Sequence, residues 1–387
     1  MPLPVPVLLA CHTLGHGGTE RQMTEMAKHL DRARFTPHVM AFHPEGFRAE
    51  ELRAAGVSVV RLPVRSLRDF SAVSGALVLR RYLRQHNIRI VHPFDYPTVT
   101  FMVPPARWFG TPVVLSSSRG ERALCPPFYR RALRWTDSLV DGIVVNSPFC
   151  AHELITVYGV DRERIHLAPN GVDTNHFHPG TRHLPAELAG ASLVIGAVSV
   201  LRAEKSLETL IDAFALIADR HPDWRLLIAG GGDREAALRQ RAAALTAAAR
   251  CVFLPSSRDV APYYRALDIF VLPSLSEAFS NALLEAMASG VCVLASSAGG
   301  NPYIVRESEN GCLFPPGDSA ALATRLEQLG TDEALRHRLE NTAKQEVEQR
   351  YSMRAAADRL GDIYSGFLAN ATGSQSLQGR RISFLTK

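Results

Sequence analysis

Hydrophobic and polar positions follow each other along this chain in a regular rhythm of short apolar runs and longer amphipathic stretches. In the first half, apolar runs rich in β-forming residues occupy residues 5–10, 37–42, 57–62, 88–92, 112–115, 142–146 and 165–168. Amphipathic stretches at residues 20–30 and 47–55 separate the first of these runs. Strands that alternate with helical crossovers form parallel sheets, so the pattern predicts an α/β domain.

The same rhythm begins again after a segment in which Asn170, Gly171, Pro179 and Gly180 break regular structure. The second series of apolar runs covers residues 193–200, 224–229, 252–254, 269–272, 291–295 and 312–314, and helical patterns follow at 319–329, 331–350 and 353–368. We therefore predict two Rossmann-like domains, residues 1–178 and 179–352, with parallel sheets that face an interdomain cleft. Residues 353–368 are predicted to form a helix that braces the two domains, and residues 369–387 a flexible tail.

Composition agrees with a globular protein of two domains. The chain has 387 residues, of which 46% are hydrophobic and 21% charged, which excludes a disordered or fibrous protein. The six cysteines are scattered along the chain without a C-x-x-C pair, and we expect them to be reduced thiols. The apolar run at residues 5–10 has no basic leader and continues into a glycine-rich loop, which predicts a buried strand rather than a signal peptide. These features predict a cytoplasmic protein.

Positive charge is concentrated in the first half. Residues 48–134 contain fifteen arginines and five acids, so this window carries 15 − 5 = +10 while the whole chain carries +5. Trp108, Phe128 and Trp135 lie among these arginines. Such a surface favours binding to the anionic inner face of the cytoplasmic membrane or to a phosphate-bearing acceptor. Solvated helix faces whose arginine stems cover apolar surface explain the pattern equally well. Nucleic acid is not predicted as a partner, because no recognisable binding module occurs there.

Glycines cluster between the first predicted strand and the first predicted helix. Gly15, Gly17 and Gly18 lie in the run 14–21, where backbone amides can approach a phosphate at the helix N-terminus. The spacing is neither G-x-G-x-x-G nor that of a P-loop. Simple chain reversal remains an alternative for this turn.

A second constellation, residues 199–205, follows the first strand of the second domain. Arg202 and Lys205 stand there just before a helix, where two cations oppose the helix dipole unless an anion is present. They can converge on one phosphate. The alternative is an exposed pair neutralised by Glu204 or Glu208.

The run at residues 273–290 encodes a strand end, a loop and a capped helix. Ser280 or Asn281 can cap the helix and Gly290 can end it, which leaves amides around residues 282 and 283 for an anion. Glu285, one turn into the helix, can accept hydrogen bonds from two vicinal hydroxyls, as in a ribose, and Glu277 can reach a sugar. Compensation of the helix dipole would also explain an acid at position 285.

Together these motifs resemble the family-four retaining glycosyltransferases of the GT-B fold. The likeness rests on Glu277 and Glu285 eight positions apart, on Arg202 and Lys205 upstream, and on the glycine turn; it also takes in residues 169–173, 298–302 and 310–311 and spans about residues 8–368. The resemblance implies that Arg202 and Lys205 act on the leaving diphosphate and that Glu277 holds the transferred sugar. It implies donor contacts from Gly17, Gly18, Arg258, Val260, Ser280, Asn281, Ala282, Leu283 and Glu285.

The sequence departs from this family at the acceptor side. Many relatives carry a histidine after the fourth strand of the first domain, where this chain has the run 115–120, so Arg119 is the candidate for that place. His16 is a second candidate on the acceptor side, and His92 a third. Many relatives have glycine where Ala278 stands and glycine or proline where Ser280 stands, which alters the expected shape of the sugar pocket.

The function predicted from residues and resemblance is transfer of a hexose from a nucleotide diphosphate sugar, with a UDP-sugar as the expected donor. A glycan or lipid-linked acceptor in cell-surface polysaccharide or lipopolysaccharide synthesis is expected. No Asp-x-Asp occurs, so metal independence is predicted, and the resemblance implies retention. A sugar-nucleotide epimerase on the same scaffold and a non-catalytic nucleotide-sugar binding protein remain open.

Overall fold

The computed structural model describes residues 3–15, 17–67, 69–245 and 248–375. They form two compact units. One comprises the chain up to Pro169 together with the described residues from Arg354 onward, and the other comprises Asn170–Met353. Each unit has one parallel β-sheet covered by helices, so the predicted α/β class with two Rossmann-like units is confirmed.

The first unit is a seven-stranded sheet. Its strands are β1 Val5–Thr13, β2 Phe35–His43, β3 Ser58–Arg61, β4 Ile90–Pro93, β5 Val113–Ser118, β6 Gly142–Val145 and β7 Ile165–Leu167. Its helices up to that point are α1 Gly18–His29, α2 Phe47–Ala54, α3 Phe70–Gln85, α4 Tyr96–Trp108, α5 Pro127–Asp137 and α6 Pro148–Thr156. The strand order is β3-β2-β1-β4-β5-β6-β7, and every neighbouring pair is parallel.

The second unit is a six-stranded sheet of the same kind. Its strands are β8 Leu193–Val198, β9 Trp224–Ala229, β10 Cys251–Leu254, β11 Ile269–Leu272, β12 Cys292–Ser296 and β13 Cys312–Phe314. Its helices are α7 Leu207–Ala218, α8 Glu235–Ala243, α9 Ala261–Arg265, α10 Asn281–Ala288, α11 Ser319–Thr331 and α12 Glu333–Glu346. The order is β10-β9-β8-β11-β12-β13, again all parallel.

Burial on both faces explains why these strands read as continuous apolar runs. In β8, Val194 and Val198 pack into one hydrophobic cluster, whereas Ile195 and Ala197 pack into a second. Successive side chains of a strand point to opposite faces, so the two clusters lie on either side of the sheet. Helices must therefore cover both faces, as expected for a parallel sheet.

The division between the units falls nine residues before the predicted one. Residues 170–178 group with the second unit because Phe177 is buried in its core and Val172 pairs with the backbone there. The amide of Val172 donates to the carbonyl of Tyr351 at 2.8 Å, and the amide of Met353 donates to the carbonyl of Val172 at 2.9 Å. The local pattern of turn residues could not reveal these long-range bonds.

The last helix, α13 Met353–Gln375, is longer than predicted. Residues 369–375, assigned to the tail, continue this helix, and residues 376–387 lie outside the described residues. Within the first unit, Tyr364 of α13 is fully buried and its ring packs edge-on against Phe35 of β2. The helix is thus part of the first unit's core, and its predicted bracing role stays a prediction.

Two further features bear on the protein's class. All six cysteines are free thiols, four of them buried. Within the described ranges, none of the helices has both the length and the apolar character needed to cross a bilayer.

Candidate functional site

In the second sheet, β8 and β11 are neighbours, and the direction in which successive strands are added reverses between them. From β8 the chain moves to β9 on one side, and from β11 it moves to β12 on the other. The loops that leave these two strands diverge at the carboxyl edge, and ligands of open α/β sheets bind at such a switch point. One loop is the predicted constellation 199–205, and the other, residues 273–280, is the loop part of the predicted run 273–290.

Lys205 and Glu277 meet across the switch point. The Nζ atom of Lys205 lies 2.5 Å from Oε1 of Glu277, and the hydroxyl of Ser274 donates to the same oxygen at 2.9 Å. The two charged side chains are 18% and 11% exposed. A backbone bond of 2.8 Å from the amide of Leu275 to the carbonyl of Glu204 joins the loops. The structure thus brings a cation and a carboxylate from two separate motifs into one largely desolvated pair.

Arg202 has a different environment. Its guanidinium pairs with Glu204 at 2.9 Å, and the two side chains are 55% and 40% exposed. Glu208, the other expected partner, binds Arg234 at 2.6 Å instead. Exposed ion pairs contribute little free energy, so a phosphate can replace Glu204 as the partner of Arg202 at low cost. The alternative of an exposed pair with Glu204 therefore describes Arg202 but not Lys205.

Helix α10 begins and ends as the sequence predicts. The hydroxyl of Ser280 accepts from the amide of Leu283 at 3.4 Å, which confirms the cap, and Gly290 adopts a φ of +74° just after the helix. The amide of Leu283, expected to serve an anion, is therefore used by the cap. Asn281 accepts from the side-chain amide of Asn170 at 2.7 Å, which ties the helix start to the beginning of this unit.

Glu285 is more enclosed than a solvent-facing ligand would be. It is 5% exposed, and its Oε2 atom accepts a hydrogen bond from the hydroxyl of Tyr264 at 2.9 Å. Tyr264, on α9, is itself buried in the core of this unit. The predicted ribose contact stays a prediction, and the bond from Tyr264 helps to orient the carboxylate.

Two glycines press the loop after β12 against the backbone that carries Glu277. The amide of Gly300 donates to the carbonyl of Glu277 at 2.7 Å. A Cβ atom on Gly299 would collide with that same carbonyl oxygen, and one on Gly300 would collide with the carbonyl oxygen of Ala278. Only glycine permits this approach, so these residues fix the position of the Glu277 loop.

The segment that carries the predicted donor contacts Arg258 and Val260 lies at the same edge, one strand beyond β9. Arg258 is exposed and Val260 partly buried, in the loop between β10 and α9. The hydroxyl of Tyr263 donates to the carbonyl of Pro255 at 3.0 Å, and the amide of Gly230 donates to the carbonyl of Leu254 at 3.1 Å. The second bond ties the end of β10 to Gly230, which directly follows β9.

In the first unit, the glycine turn after β1 is braced from α2. The Nε atom of Arg48 donates to the carbonyl of Gly15 at 2.9 Å, and Gly46, with a φ of +134°, lies against the carbonyl oxygen of Leu14. Gly17 precedes α1 and Gly18 opens it, and a Cβ atom on Gly17 would overlap the carboxylate of Glu20. His16 lies outside the described residues.

Arg119 follows β5, as expected from the sequence. Its guanidinium lies 5.0 Å above the ring centre of Phe94, and burial lowers its pKa to about 10, which leaves it charged at neutral pH. His92 has become part of the core instead. It is fully buried, its Nδ1 and Nε2 atoms lie 2.7 Å from the hydroxyl of Tyr364 and 2.8 Å from that of Ser117, and burial lowers its pKa to about 3. His92 is a neutral structural residue rather than an acceptor contact.

Sequence reasoning missed the residues that support those it named. Ser274, Tyr264 and Arg48 each hold a predicted site residue or turn, through contacts 3, 21 and 33 positions apart in sequence. Ser274 stands inside the predicted motif, where its spacing of three from Glu277 was a usable signal. No local pattern marks the other two.

Comparisons with known proteins assign a family profile to each unit. The profile described as Glycosyltransferase Family 4 matches residues 16–176, and the one described as Glycosyl transferases group 1 matches residues 185–346. Among curated relatives, a D-inositol 3-phosphate glycosyltransferase of Nocardia farcinica is 32% identical over 61% of this chain and 55% of its own length. One of Corynebacterium glutamicum is 34% identical over 59% and 58%. The matched part spans just over half the length of these relatives.

Solved structures share the fold. A glycosyltransferase from Rickettsia africae superimposes with a TM-score of 0.83 over 95% of this chain and 99% of its own, at 20% identity. Anabaena HepE in complex with UDP and glucose gives a TM-score of 0.80 over 93% and 99%, also at 20% identity. These likenesses show the fold.

Proposed function

Because the chain belongs to the family 4, group 1 glycosyltransferases, we propose that it transfers a hexose from a nucleotide diphosphate sugar to an acceptor hydroxyl. The observation that carries this proposal is the Lys205–Glu277 pair at the switch point of the second sheet. Both charges are largely removed from water and both are fixed by neighbouring loops, which is the preorganisation that stabilises developing charge.

The chemistry follows from the charges. Cleavage of the bond between the sugar and the diphosphate leaves negative charge on the diphosphate, which Lys205 and Arg202 would neutralise. Glu277, held by Ser274 and by the Gly299–Gly300 turn, would accept hydrogen bonds from hydroxyls of the transferred sugar. Because two cations supply the positive charge, we propose that no divalent metal is needed.

Retention is part of the proposal. Glu285 is buried against Tyr264, so it is not placed as a second carboxylate for a double displacement. We therefore propose attack of the acceptor on the face from which the diphosphate departs, with a phosphate oxygen taking the acceptor's proton. The product would keep the anomeric configuration of the donor.

UDP is the proposed nucleotide. The Anabaena structure that shares this fold holds UDP and glucose, and a related one holds UDP-glucose. In this chain, Glu285 would face the ribose, Arg258 and Val260 the base, and the helix start at Ser280, Asn281 and Ala282 the phosphate. Gly17, Gly18 and Arg119 of the first unit are proposed to contribute on the diphosphate and acceptor sides.

The proposed acceptor is a glycan or lipid-linked polyol that carries an anionic group, used in building a cell-surface polysaccharide or lipopolysaccharide. Curated relatives are named D-inositol 3-phosphate glycosyltransferases, and a galactosyltransferase of the lipopolysaccharide outer core shares the fold at a TM-score of 0.72. An anionic acceptor suits the excess of arginine in the first unit.

A peripheral contact with the inner face of an anionic membrane is proposed for α5. Phe128 and Trp135 are 44% and 52% exposed on this helix, and Arg131 and Arg134 are exposed beside them. Aromatic rings and arginines on one helix suit the headgroup region. Reversing the charge of Arg130, Arg131 and Arg134 should abolish binding to vesicles that contain phosphatidylglycerol. Unchanged binding would remove the membrane from the proposal.

The donor site is tested by calorimetry with UDP and UDP-sugars in the presence of a chelator, on the wild type and on Glu285→Gln. The variant keeps an acceptor for Tyr264 but loses the charge, so we expect weaker nucleotide binding in a folded protein. Product analysis by NMR then follows the anomeric proton. Nucleotide binding that needs metal, an inverted product, or an epimerised donor would each contradict the proposal.

A further inference from the structure

The first unit contains a cavity of about 470 Å³ that none of the motifs described above uses. It lies where β2 and β3 end, beside β1 in the strand order, and therefore at the carboxyl edge where the glycine turn also lies. Its volume is in the range of roughly 300 to 1,000 Å³ that is typical of small-molecule sites. The lining residues are Phe42, His43, Arg61, Pro63, Val64, Arg65, Phe70, Ser71 and Ser74.

Internal contacts hold the cavity walls in place. Gly75 of α3 lies so close to Val64 and Phe101 that a Cβ atom would collide with the Val64 side chain, so the helix packs tightly against the loop after β3. The hydroxyl of Ser71 accepts from the amide of Arg65 at 2.9 Å, and the cap residue Asp69 accepts from the amide of Ser71 at 2.7 Å. The loop that carries Arg65 is therefore fixed before any ligand arrives.

Charge is one-sided within the lining. Arg61, Arg65 and His43 contribute cationic or protonatable groups, and none of the described lining residues is an acid. Asp69, which lies beside the cavity and caps α3, interacts electrostatically with Arg65. Arg61 has a loose partner outside the lining, Glu45, at 3.5 Å, with both side chains at least 60% exposed. Such a pair is weak and can be replaced by a stronger anion. Arginine binds phosphate with two parallel hydrogen bonds, which makes phosphate the ligand that these residues match best.

Phe70 completes the site with an apolar face. Its side chain lines the cavity and is 92% exposed, while Phe42, which also lines the cavity, is buried. An exposed aromatic ring is removed from water when it packs on the carbon skeleton of a ligand, which stabilises the complex. The charged group of the ligand can then contact the arginines.

We propose that this cavity binds the phosphate group of the acceptor, with Arg61 and Arg65 on the phosphate oxygens and Phe70 against the carbon skeleton. The inference rests on the proposed transferase function and names the class of acceptor: a phosphate ester of a polyol, whether soluble or part of a lipid. His43 lies between this cavity and β1, since its ring contacts that of His12 edge-on at 5.2 Å. The phosphate would thus be anchored at one side of the acceptor while a hydroxyl remains for the reaction.

The test compares the full-length wild type with Arg65→Gln and with the double variant Arg61→Gln/Arg65→Gln. Arg81→Gln removes an exposed arginine of α3 that does not line the cavity, and is the matched control. The probes for calorimetry are inositol phosphate, inositol, and phosphatidylcholine vesicles with and without phosphatidylinositol. We expect inositol phosphate or the phosphatidylinositol vesicles to bind the wild type and inositol to bind much more weakly. Affinity should fall about tenfold in the single variant and further in the double variant, as expected for lost charged hydrogen bonds.

The two anionic probes identify the source of the phosphate. Binding of inositol phosphate that depends on Arg65 assigns a soluble acceptor, and vesicle binding that depends on Arg65 assigns a lipid one. Binding that is equal in the double variant and in the Arg81→Gln control, or no binding of either probe, would overturn the inference. UDP binding, measured in parallel, should be the same in all variants. If the wild type did not bind UDP, this result would instead contradict the proposed function.

Discussion

The carboxyl edges of the two sheets both carry polar groups, but in opposite physical states. At the first edge, His92 and Ser117 at the ends of β4 and β5 are buried with Tyr364, and burial lowers the pKa of His92 to about 3. At the second edge, Lys205 and Glu277 follow β8 and β11 as an ion pair that keeps some contact with water. One edge has a neutral hydrogen-bonded network, and the other a charged pair.

The difference shows how desolvation separates structural from functional polar groups. Complete burial disfavours the charged form, so His92 is neutral and both its ring nitrogens have partners. A charged pair that is only partly buried can exchange its partner for a ligand's charge without leaving an isolated ion in the core. We therefore expect changes at the first edge to alter stability and changes at the second to alter catalysis.

Replacing Lys205 with Met should have the largest effect. The substitution keeps the volume but removes the charge proposed to stabilise the leaving diphosphate, so kcat/KM should fall about a thousandfold while the protein stays folded. Steady-state kinetics and thermal unfolding measure the two properties. Lys344→Met, on a partly exposed lysine of α12 whose Nζ atom lies 3.7 Å from a carboxylate oxygen of Glu348, is the matched control. Equal activity in the two variants would contradict the assigned role.

His92→Gln tests the first edge through the pH dependence of stability. Since the folded pKa of His92, about 3, lies below its usual 6.5, the unfolded chain takes up a proton first as pH falls. The stability contributed by the neutral ring is therefore complete above about pH 6.5 and is lost as pH falls towards 3, at up to about 1.4 kcal/mol per pH unit. Urea unfolding across this range should show a shallower slope in His92→Gln.

The matched control is His152→Gln, on an exposed histidine of α6 in the same unit. It should keep the slope of the wild type. If both variants lost stability with the same slope as the wild type, the buried network would not be the cause of the pH dependence.

Gly300→Ala should disturb the second edge sterically. The new Cβ atom would collide with the carbonyl oxygen of Ala278 and displace the loop that positions Glu277, at a cost of about 1 to 3 kcal/mol. We expect kcat to fall more than tenfold. Gly231→Ala in the loop after β9 is the control, because its Cβ atom would meet nothing closer than 3.5 Å. Similar kinetics in both variants would rule out this packing as the reason for glycine.

The smallest effects are expected at helix caps, where the two units are alike. Asp69 caps α3 and Asp318 caps α11, each through a carboxylate oxygen that accepts a backbone amide at 2.7 and 2.8 Å. Asp69→Ala and Asp318→Ala should each lower the free energy of unfolding by about 1 kcal/mol, measured by urea titration, with donor binding unchanged. A much larger loss in one unit would show that its cap also serves tertiary contacts.

Local patterns predicted features that depend on neighbouring residues. The apolar runs located the strands of both sheets, and Ser280 and Gly290 marked the ends of α10. The same patterns placed the division between the units too late and ended the last helix too early. Both errors concern residues whose environment is set by distant contacts: Val172 pairs with Tyr351 and Met353, and Tyr364 of α13 binds His92.

The sequence alone determined the α/β class, the order of the elements and the loops in which charged residues gather, because periodicity and glycine placement act over a few positions. Tertiary structure decided which of those charges meet. It paired Lys205 with Glu277 rather than with Glu204 or Glu208, buried Glu285 against Tyr264, and enclosed His92 in the core. It also assembled the cavity of Arg61 and Arg65 from two strands and a helix. Burial and pairing depend on residues far apart in the chain, and these two quantities set what a polar side chain can do.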